Sequence, residues 1–332
     1  MFPVSTYGLR IYIIEPYEFC SGNSSNQYIP ELKSSMAQFI KNVDKRFADR
    51  KGASRRSDVP PDVLRALTEG RIESITLSEF LAIDLEQLWK NVFPTLGLKK
   101  ELGEILHEYQ SFQEEGIKRK FHGIGEILHR VLKNPSNRNR VILNLSKHSS
   151  DLIRAVAAYT LMADPSIPFK KRLRLVRPFA TDRNMNVRET AWDSFRTYLI
   201  QDLEKGLPLL QEWVKDRDPN IRRCAVEGSR PRGVWATHIN ALKQNPEIGV
   251  SLLEPVKGDP SRYVQNAVGN WLNDASKLNP SWVQKLGRKW LTESPTPETQ
   301  YIVNRGLRTI RKTKQDGARK PQPKKRGVKP GR

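Results

Sequence analysis

The sequence is poor in the residues that metal, redox and membrane functions draw on. Its 332 residues include two cysteines, Cys20 and Cys224, too few and too far apart for a disulfide framework or a thiolate metal cage. That usage fits a reducing compartment. The five histidines, His107, His122, His129, His148 and His238, form no pair at metal-ligand spacing. No stretch approaches the roughly eighteen apolar residues of a membrane span, and the run Ile11 to Ile14 is too short for a signal-peptide core. Gly103, Gly116 and Gly123 lie scattered in helical stretches instead of forming a phosphate-binding loop. These absences predict a soluble, cytoplasmic protein with no metal, no cofactor and no membrane partner.

Acidic residues are the other shortage. Asp and Glu number 36 against 57 Lys and Arg, a net charge of +21. With 37% hydrophobic residues the chain has enough apolar material to build a core, so a folded basic protein is expected. The segment from Arg311 to Arg332 holds ten Lys and Arg against Asp316 and nothing apolar to bury. Residues 313–332 therefore read as a disordered basic tail, serving either phosphate contact or solubility. At the other end, residues 1–35 show neither helical nor strand periodicity and are expected to be a poorly ordered leader. A helix is predicted from Met36 to Asp49, opening a helical domain over 36–312.

Internal repetition sets the architecture. Ile153-Arg154-x-x-Ala157, Val187-Arg188-x-x-Ala191 and Ile221-Arg222-x-x-Ala225 recur at a fixed spacing, and Val264-Gln265-x-x-Val268 follows at a longer one. Each copy comes after a polar turn, and a second apolar stretch such as Leu207 to Trp213 lies between copies. The pattern predicts one helical hairpin per period, stacked because neither helix can bury its apolar face alone. No segment alternates as a strand would. The fold class is all-α, a curved α-solenoid.

These offsets resemble the inner helix of HEAT-type repeats, whose residues around the Arg and one turn beyond face the concave side. Those positions carry Glu189 and Asp193, then Glu227, then Asn270 and Asp274. Acidic side chains thus converge on one wall of a strongly basic protein. Taken singly, each is best explained as a solvated or Arg-paired surface group; their company argues otherwise. Glu227 opens Glu227-Gly228-Ser229-Arg230-Pro231-Arg232-Gly233-Val234-Trp235, where Gly228 and Pro231 end a helix early and set two arginines and a tryptophan beside the carboxylate. Trp271 and Asp274 end another helix before Ser276 and Pro280. The recurrent Arg154, Arg188 and Arg222 are better read as inter-repeat salt bridges than as phosphate contacts, and Cys224 as a packed thiol.

The run from Glu227 to Trp235, with Asp259-Pro260-Ser261-Arg262-Tyr263-Val264-Gln265 and Asn270-Trp271-Leu272-Asn273-Asp274-Ala275-Ser276-Lys277, resembles the AlkC-type branch of the HEAT-like-repeat DNA alkylation repair glycosylases. Val187-Arg188-Glu189-Thr190-Ala191-Trp192 and Ala82-Ile83-Asp84 fit the same family. The resemblance covers about Pro60 to Lys312. It implies a right-handed solenoid of HEAT-like repeats with a concave DNA-binding face, and a monomer acting on double-stranded DNA with alkylated bases near the nucleoid. It implies catalytic roles for Asp274, Glu227 and Glu189, with Asp193 a rival for the third acid. Trp235, Asp193, Asn270 and Trp271 become candidates for substrate binding, and Arg230, Arg232, Arg305, Arg308 and Lys243 for DNA binding. Gly233-Val234 departs from the pair that the best-known members carry between Arg232 and Trp235.

The chemistry stands beside the resemblance. A purine alkylated at N3 or N7 is cationic and already a good leaving group, so its glycosidic bond needs modest help. A carboxylate near the sugar favours the oxocarbenium-like transition state over the ground state. Asp274 is placed in that role, Glu189 and Glu227 attract the cationic base, and Trp235 offers it a π face. No lysine is identifiable for Schiff-base strand cleavage, which favours a monofunctional enzyme. The alternative is a non-catalytic HEAT module that binds damaged or structured nucleic acid.

Overall fold

The computed structural model describes Phe47, residues 49–233 and residues 236–312. The chain divides into Met1–Arg50 and Lys51–Arg332. In the first unit, the Arg50 guanidinium donates to the Phe47 carbonyl at 2.9 Å. The expected leader, most of the helix expected from Met36 and the basic tail lie outside the described residues.

The second unit is helical, and no strand occurs among its described residues. Five helices open it: α1 (Pro61–Thr68), α2 (Leu77–Ala82), α3 (Leu85–Val92), α4 (Leu102–Tyr109) and α5 (Ile117–Val131). Hairpins follow: α6 (Pro135–Ser146) with α7 (Asp151–Met162), α8 (Phe169–Ala180) with α9 (Met185–Gln201), and α10 (Leu203–Trp213) with α11 (Pro219–Gly228). In the next repeat the outer helix is broken into α12 (Asn240–Gln244) and α13 (Val250–Leu253) ahead of α14 (Arg262–Ser276), and α15 (Pro280–Glu293) with α16 (Pro297–Gly306) closes the row. The break accounts for the longer last spacing of the repeat.

The second helices of the hairpins form a continuous inner row. α5 packs on α7, α7 on α9, α9 on α11, α11 on α14 and α14 on α16. The residues that mark the repeat make these contacts: Ile153, Ala157, Val187, Ala191, Ile221, Ala225, Val264 and Val268 are all wholly buried. The small members let backbones approach. At Gly125 of α5 even a Cβ would stand 2.7 Å from the Tyr159 carbonyl carbon of α7.

Polar turns start the helices sharply. Asn134, Asn184, Asp218 and Thr296 each accept a backbone N–H from the first turn that follows, and Pro135, Pro219 and Pro297 open their helices where no amide donor is needed. The repeated arginine ties each turn down. Arg154 Nη1 donates to the carbonyls of His148 and Ser149, and its other nitrogens grip Asp182 of the next turn at 2.8 and 3.0 Å. Arg222 does the same with Asp216, Arg217 and Asp259. Gln265 keeps the carbonyl half of the device at Asp259. Arg188 caps its own turn but sends Nε to Tyr263 Oη at 3.3 Å and makes no bridge to Asp216, which Arg177 holds. Arg154 and Arg222 thus make the inter-repeat bridges expected of them.

Candidate active site

Along the inner row, pairs of residues four apart stand on one face of each helix. They are Lys118 and His122 on α5, Ala155 and Tyr159 on α7, Glu189 and Asp193 on α9, Arg223 and Glu227 on α11, Asn266 and Asn270 on α14, and Tyr301 and Arg305 on α16. Neighbouring helices join through them. Tyr159 Oη donates to Asp193 at 2.7 Å, Tyr301 Oη to Asn266 at 2.8 Å, and Arg305 Nε to Asn270 at 3.1 Å. Lys118 of α5 also pairs with Asp193 of α9, at 2.5 Å.

At the centre, five side chains of alternating charge form one string. Glu189 accepts from Arg223 through Oε1 and from the Trp192 indole at 2.9 Å through Oε2. Arg223 also lies 3.7 Å from Glu227 Oε1, and Glu227 Oε2 accepts from Arg230 Nη1 at 2.9 Å. Arg230 then places Nε and Nη2 each 2.9 Å from Asp274 Oδ2. Asp274 Oδ1 lies 3.6 Å from the exposed Lys277 ammonium. Burial disfavours the charge on Arg223 and Arg230, but the carboxylates around them more than offset this and raise both guanidiniums above their ordinary value. Arg223 also packs its guanidinium over the Tyr263 ring at 4.1 Å.

These contacts correct the expectation of an open acidic wall. The side chains of Glu227 and Asp274 are 5% and 4% exposed, while Glu189 keeps 35%. A cleft of about 580 Å³ does open on the inner row, but the acids that line it are Asp193 and Glu126. Lys118, His122, Tyr159, Tyr198 and Arg196 line it, and Ala236 and Thr237 form part of its rim. Burial pulls the Asp193 carboxyl up, yet the His122 hydrogen bond and the Lys118 charge prevail and push it down to about 2.

The other candidates fall in two groups. Asn270 and Arg305 meet next to the string. Arg308 is exposed and donates to the Arg305 carbonyl; burial and Arg305 lower its guanidinium. Lys243 donates to Asn240 on an exposed surface. Arg232 is half-buried with its Nε unpartnered. Trp235 lies outside the described residues. Two assignments are corrected. Arg230, expected at DNA, is buried with its guanidinium shared between two carboxylates. Trp271, expected at substrate, is wholly buried, donates to the Ser229 carbonyl at 3.0 Å and leaves a Gly249 Cβ no room. Sequence reasoning missed Arg223 and Tyr159, although they sit one repeat position from Glu189 and Asp193, and missed Lys118, two repeats from Glu189. It also missed Arg196, for which no periodic signal exists. Among the described residues no group of His, Cys, Asp and Glu is gathered as a metal site, and no helix is long and apolar enough to cross a membrane.

Comparison with known proteins bears on these same helices. Residues 127–289 match the DNA alkylation repair enzyme family. That span runs from the end of α5 into α15 and contains the whole acidic string. Among curated proteins, the uncharacterized protein YhaZ of Bacillus subtilis (strain 168) is 38% identical over 117 residues, 35% of this chain and 32% of YhaZ. The match thus spans about a third of that relative's length. Among solved structures, the alkylpurine DNA glycosylase AlkC of Pseudomonas fluorescens, bound to DNA containing an abasic site analog, aligns with a TM-score of 0.56 and 23% identity. The alignment covers 79% of this chain and 66% of AlkC. AlkD2 of Streptococcus mutans aligns with a TM-score of 0.49 and 21% identity, over 62% of this chain and 96% of AlkD2. The likeness to AlkC is one of fold: an all-helical repeat protein.

Proposed function

We propose that this protein is a monofunctional DNA glycosylase that hydrolyses the N-glycosidic bond of cationic, small-alkyl purines such as 3-methyladenine. The observation that carries the proposal is the string itself: carboxylates from α9, α11 and α14 gathered on the inner row of a chain of net charge +21. Arg223, Arg230 and the exposed Lys277 balance the three acids. Three carboxylates brought together on a strongly basic protein are what a cationic base would meet, and phosphate binding alone does not call for them. The family match supports the same reading.

In this reading, Asp274 Oδ2 is anchored by Arg230, which leaves Oδ1 for the sugar or for water. As the C1′–N bond breaks, its electron pair leaves with the purine and neutralises it, while C1′ becomes cationic. Oδ1 stabilises that charge and orients the water that adds to C1′; the water's proton passes to the carboxylate or to solvent. Glu227 and the partly exposed Glu189 draw the cationic base, and neutral bases gain nothing from them. Asp193 serves as a second acid, at the cleft. Arg305, Arg308, Lys243 and Arg232 contact phosphates without regard to sequence. The protein works as a monomer on double-stranded DNA, inside the cell at the nucleoid.

The burial of Glu227 and Asp274 behind arginine favours one other reading, a helical module that binds damaged nucleic acid without reacting. Incubation with dimethyl sulfate-treated DNA separates the two. The glycosylase frees 3-methyladenine and leaves abasic sites; the module binds the DNA and frees nothing.

A further inference from the structure

We infer that Arg196 is the positioning residue of this site: from α9 it braces the loop between α11 and α12, and so sets where Arg230 stands between Glu227 and Asp274. The inference rests on the glycosylase reading for its catalytic consequence and on geometry for the brace. Arg196 is 2% exposed. Its Nη1 donates to the Gly228 carbonyl at 2.7 Å, its Nη2 to the Arg230 carbonyl at 2.6 Å and its Nε to the Thr237 carbonyl at 2.9 Å. Gly228 and Arg230 belong to the outgoing limb of the loop and Thr237 to the returning limb. One planar group therefore joins both limbs, near the point where the Ile239 amide meets the Pro231 carbonyl at 3.1 Å.

The arrangement is costly unless it has a purpose. A buried guanidinium loses several kcal/mol of hydration, on the order given for buried ions, and Arg196 has no carboxylate within ion-pair distance among the described residues. Burial pushes its guanidinium down to about 10, partly offset by the more distant Asp193. Packing of α9 does not call for a charge there, since Val187, Ala191, Phe195 and Leu199 already fill its buried face. What a guanidinium alone supplies is a rigid fork of donors able to hold three carbonyls at once. The lysine ammonium, a point charge on a flexible stem, cannot hold all three in that plane.

The loop carries the consequence. Arg230 sits two residues beyond Gly228, so a shift of that limb moves the guanidinium against both carboxylates. The limb is also held by the Trp271 indole on the Ser229 carbonyl and by the Ser229 and Arg230 amides, which donate to the Ala225 and Glu227 carbonyls at 3.3 and 3.2 Å. Arg196 also lines the cleft of about 580 Å³, which gives a small solute access to the space left if its side chain is removed.

The test compares the full-length protein with Arg196→Lys and Arg196→Ala. Hydrogen exchange of peptides covering 229–238 should accelerate about tenfold in both variants, with exchange in α7, α9 and α14 unchanged. Single-turnover release of 3-methyladenine should slow about a hundredfold, as a misplacement on the ångström scale does, while DNA affinity stays within about threefold. Methylguanidinium, against an equal concentration of sodium chloride, should restore loop protection and release to Arg196→Ala but not to Arg196→Lys. Unchanged loop exchange overturns the brace. A loosened loop with undiminished release overturns its catalytic role. Exchange that rises throughout α9 and α11 shows a merely structural arginine and also overturns the inference. A parent protein that releases no base sinks the glycosylase reading and with it the catalytic consequence, while loop exchange still decides the brace.

Discussion

Arg230 and Asp274 stand 44 positions apart in sequence and meet side by side, with Nε and Nη2 of the guanidinium each 2.9 Å from one carboxylate oxygen. The same guanidinium holds Glu227 through Nη1. One cation thus fixes two buried anions from different repeats, and its removal leaves them the longer contacts to Arg223 at 3.7 Å and Lys277 at 3.6 Å. Arg230→Met should destabilise the fold by about 3–5 kcal/mol and abolish base release. Urea denaturation measures the first effect; a loss under about 1 kcal/mol would show the pair to be solvated.

Arg154 and Arg222 should behave differently. Each ties its own turn to an aspartate of the next, Asp182 or Asp259, away from the acidic string. Arg154→Ala should cost about 3 kcal/mol as a broken, largely buried pair and leave the salt dependence of DNA binding unchanged. A reduced slope of log Kd against log salt would place Arg154 at phosphate after all.

Trp271 is a core residue. Trp271→Phe should cost about 1–2 kcal/mol through the lost indole hydrogen bond and the smaller ring, with base release at saturating DNA close to that of the parent. A large fall in release with intact stability would return Trp271 to the substrate. Thermal melting and single-turnover release, measured on the same preparation, separate the outcomes.

A half-buried His148 and a buried Asp193 make stability fall in separate pH windows. Burial, aided by the Arg154 charge, pushes the His148 imidazole down from 6.5 to about 4. A folded value below the unfolded one gives stability that is complete above pH 6.5 and lost as pH falls through about 4. Asp193, lowered from 3.8 to about 2, contributes in full above pH 3.8 and loses its share as pH falls through about 2. That share is about 2 kcal/mol. His148→Gln should flatten the upper part of an acid titration of unfolding free energy, and Asp193→Asn only the part below pH 4. Interchanged windows would refute both assignments.

The fold was legible in the sequence because the repeat is carried by residues whose burial does not depend on loops. Ile153, Val187, Ile221 and Val264 face the next helix in every hairpin, so their spacing reports the stack directly. The acids were legible as a group for the same reason: Asp193 and Glu227 occupy equivalent positions in successive repeats. Their partners were not. Arg230 lies on an irregular loop, where no periodicity tells whether a side chain turns to solvent or back between helices. Trp271 was misplaced because its nearness in sequence to Asp274 outweighed its register. It follows Val264 and Val268 by seven and three positions, which puts it on the apolar face. Arg196 gives no local sign of its role, since every carbonyl it holds belongs to the following repeat.

The most direct measurement is single-turnover release of 3-methyladenine from methylated double-stranded DNA by the parent protein and by Asp274→Asn, with folding and DNA affinity checked for both. The amide keeps the shape of the carboxylate and still accepts from Arg230, but removes the charge that would face the sugar. Release by the parent and a fall of about a hundredfold or more in the variant, at comparable affinity, is the predicted result. Equal release by both proteins, or binding by both with no free base from either, would contradict it.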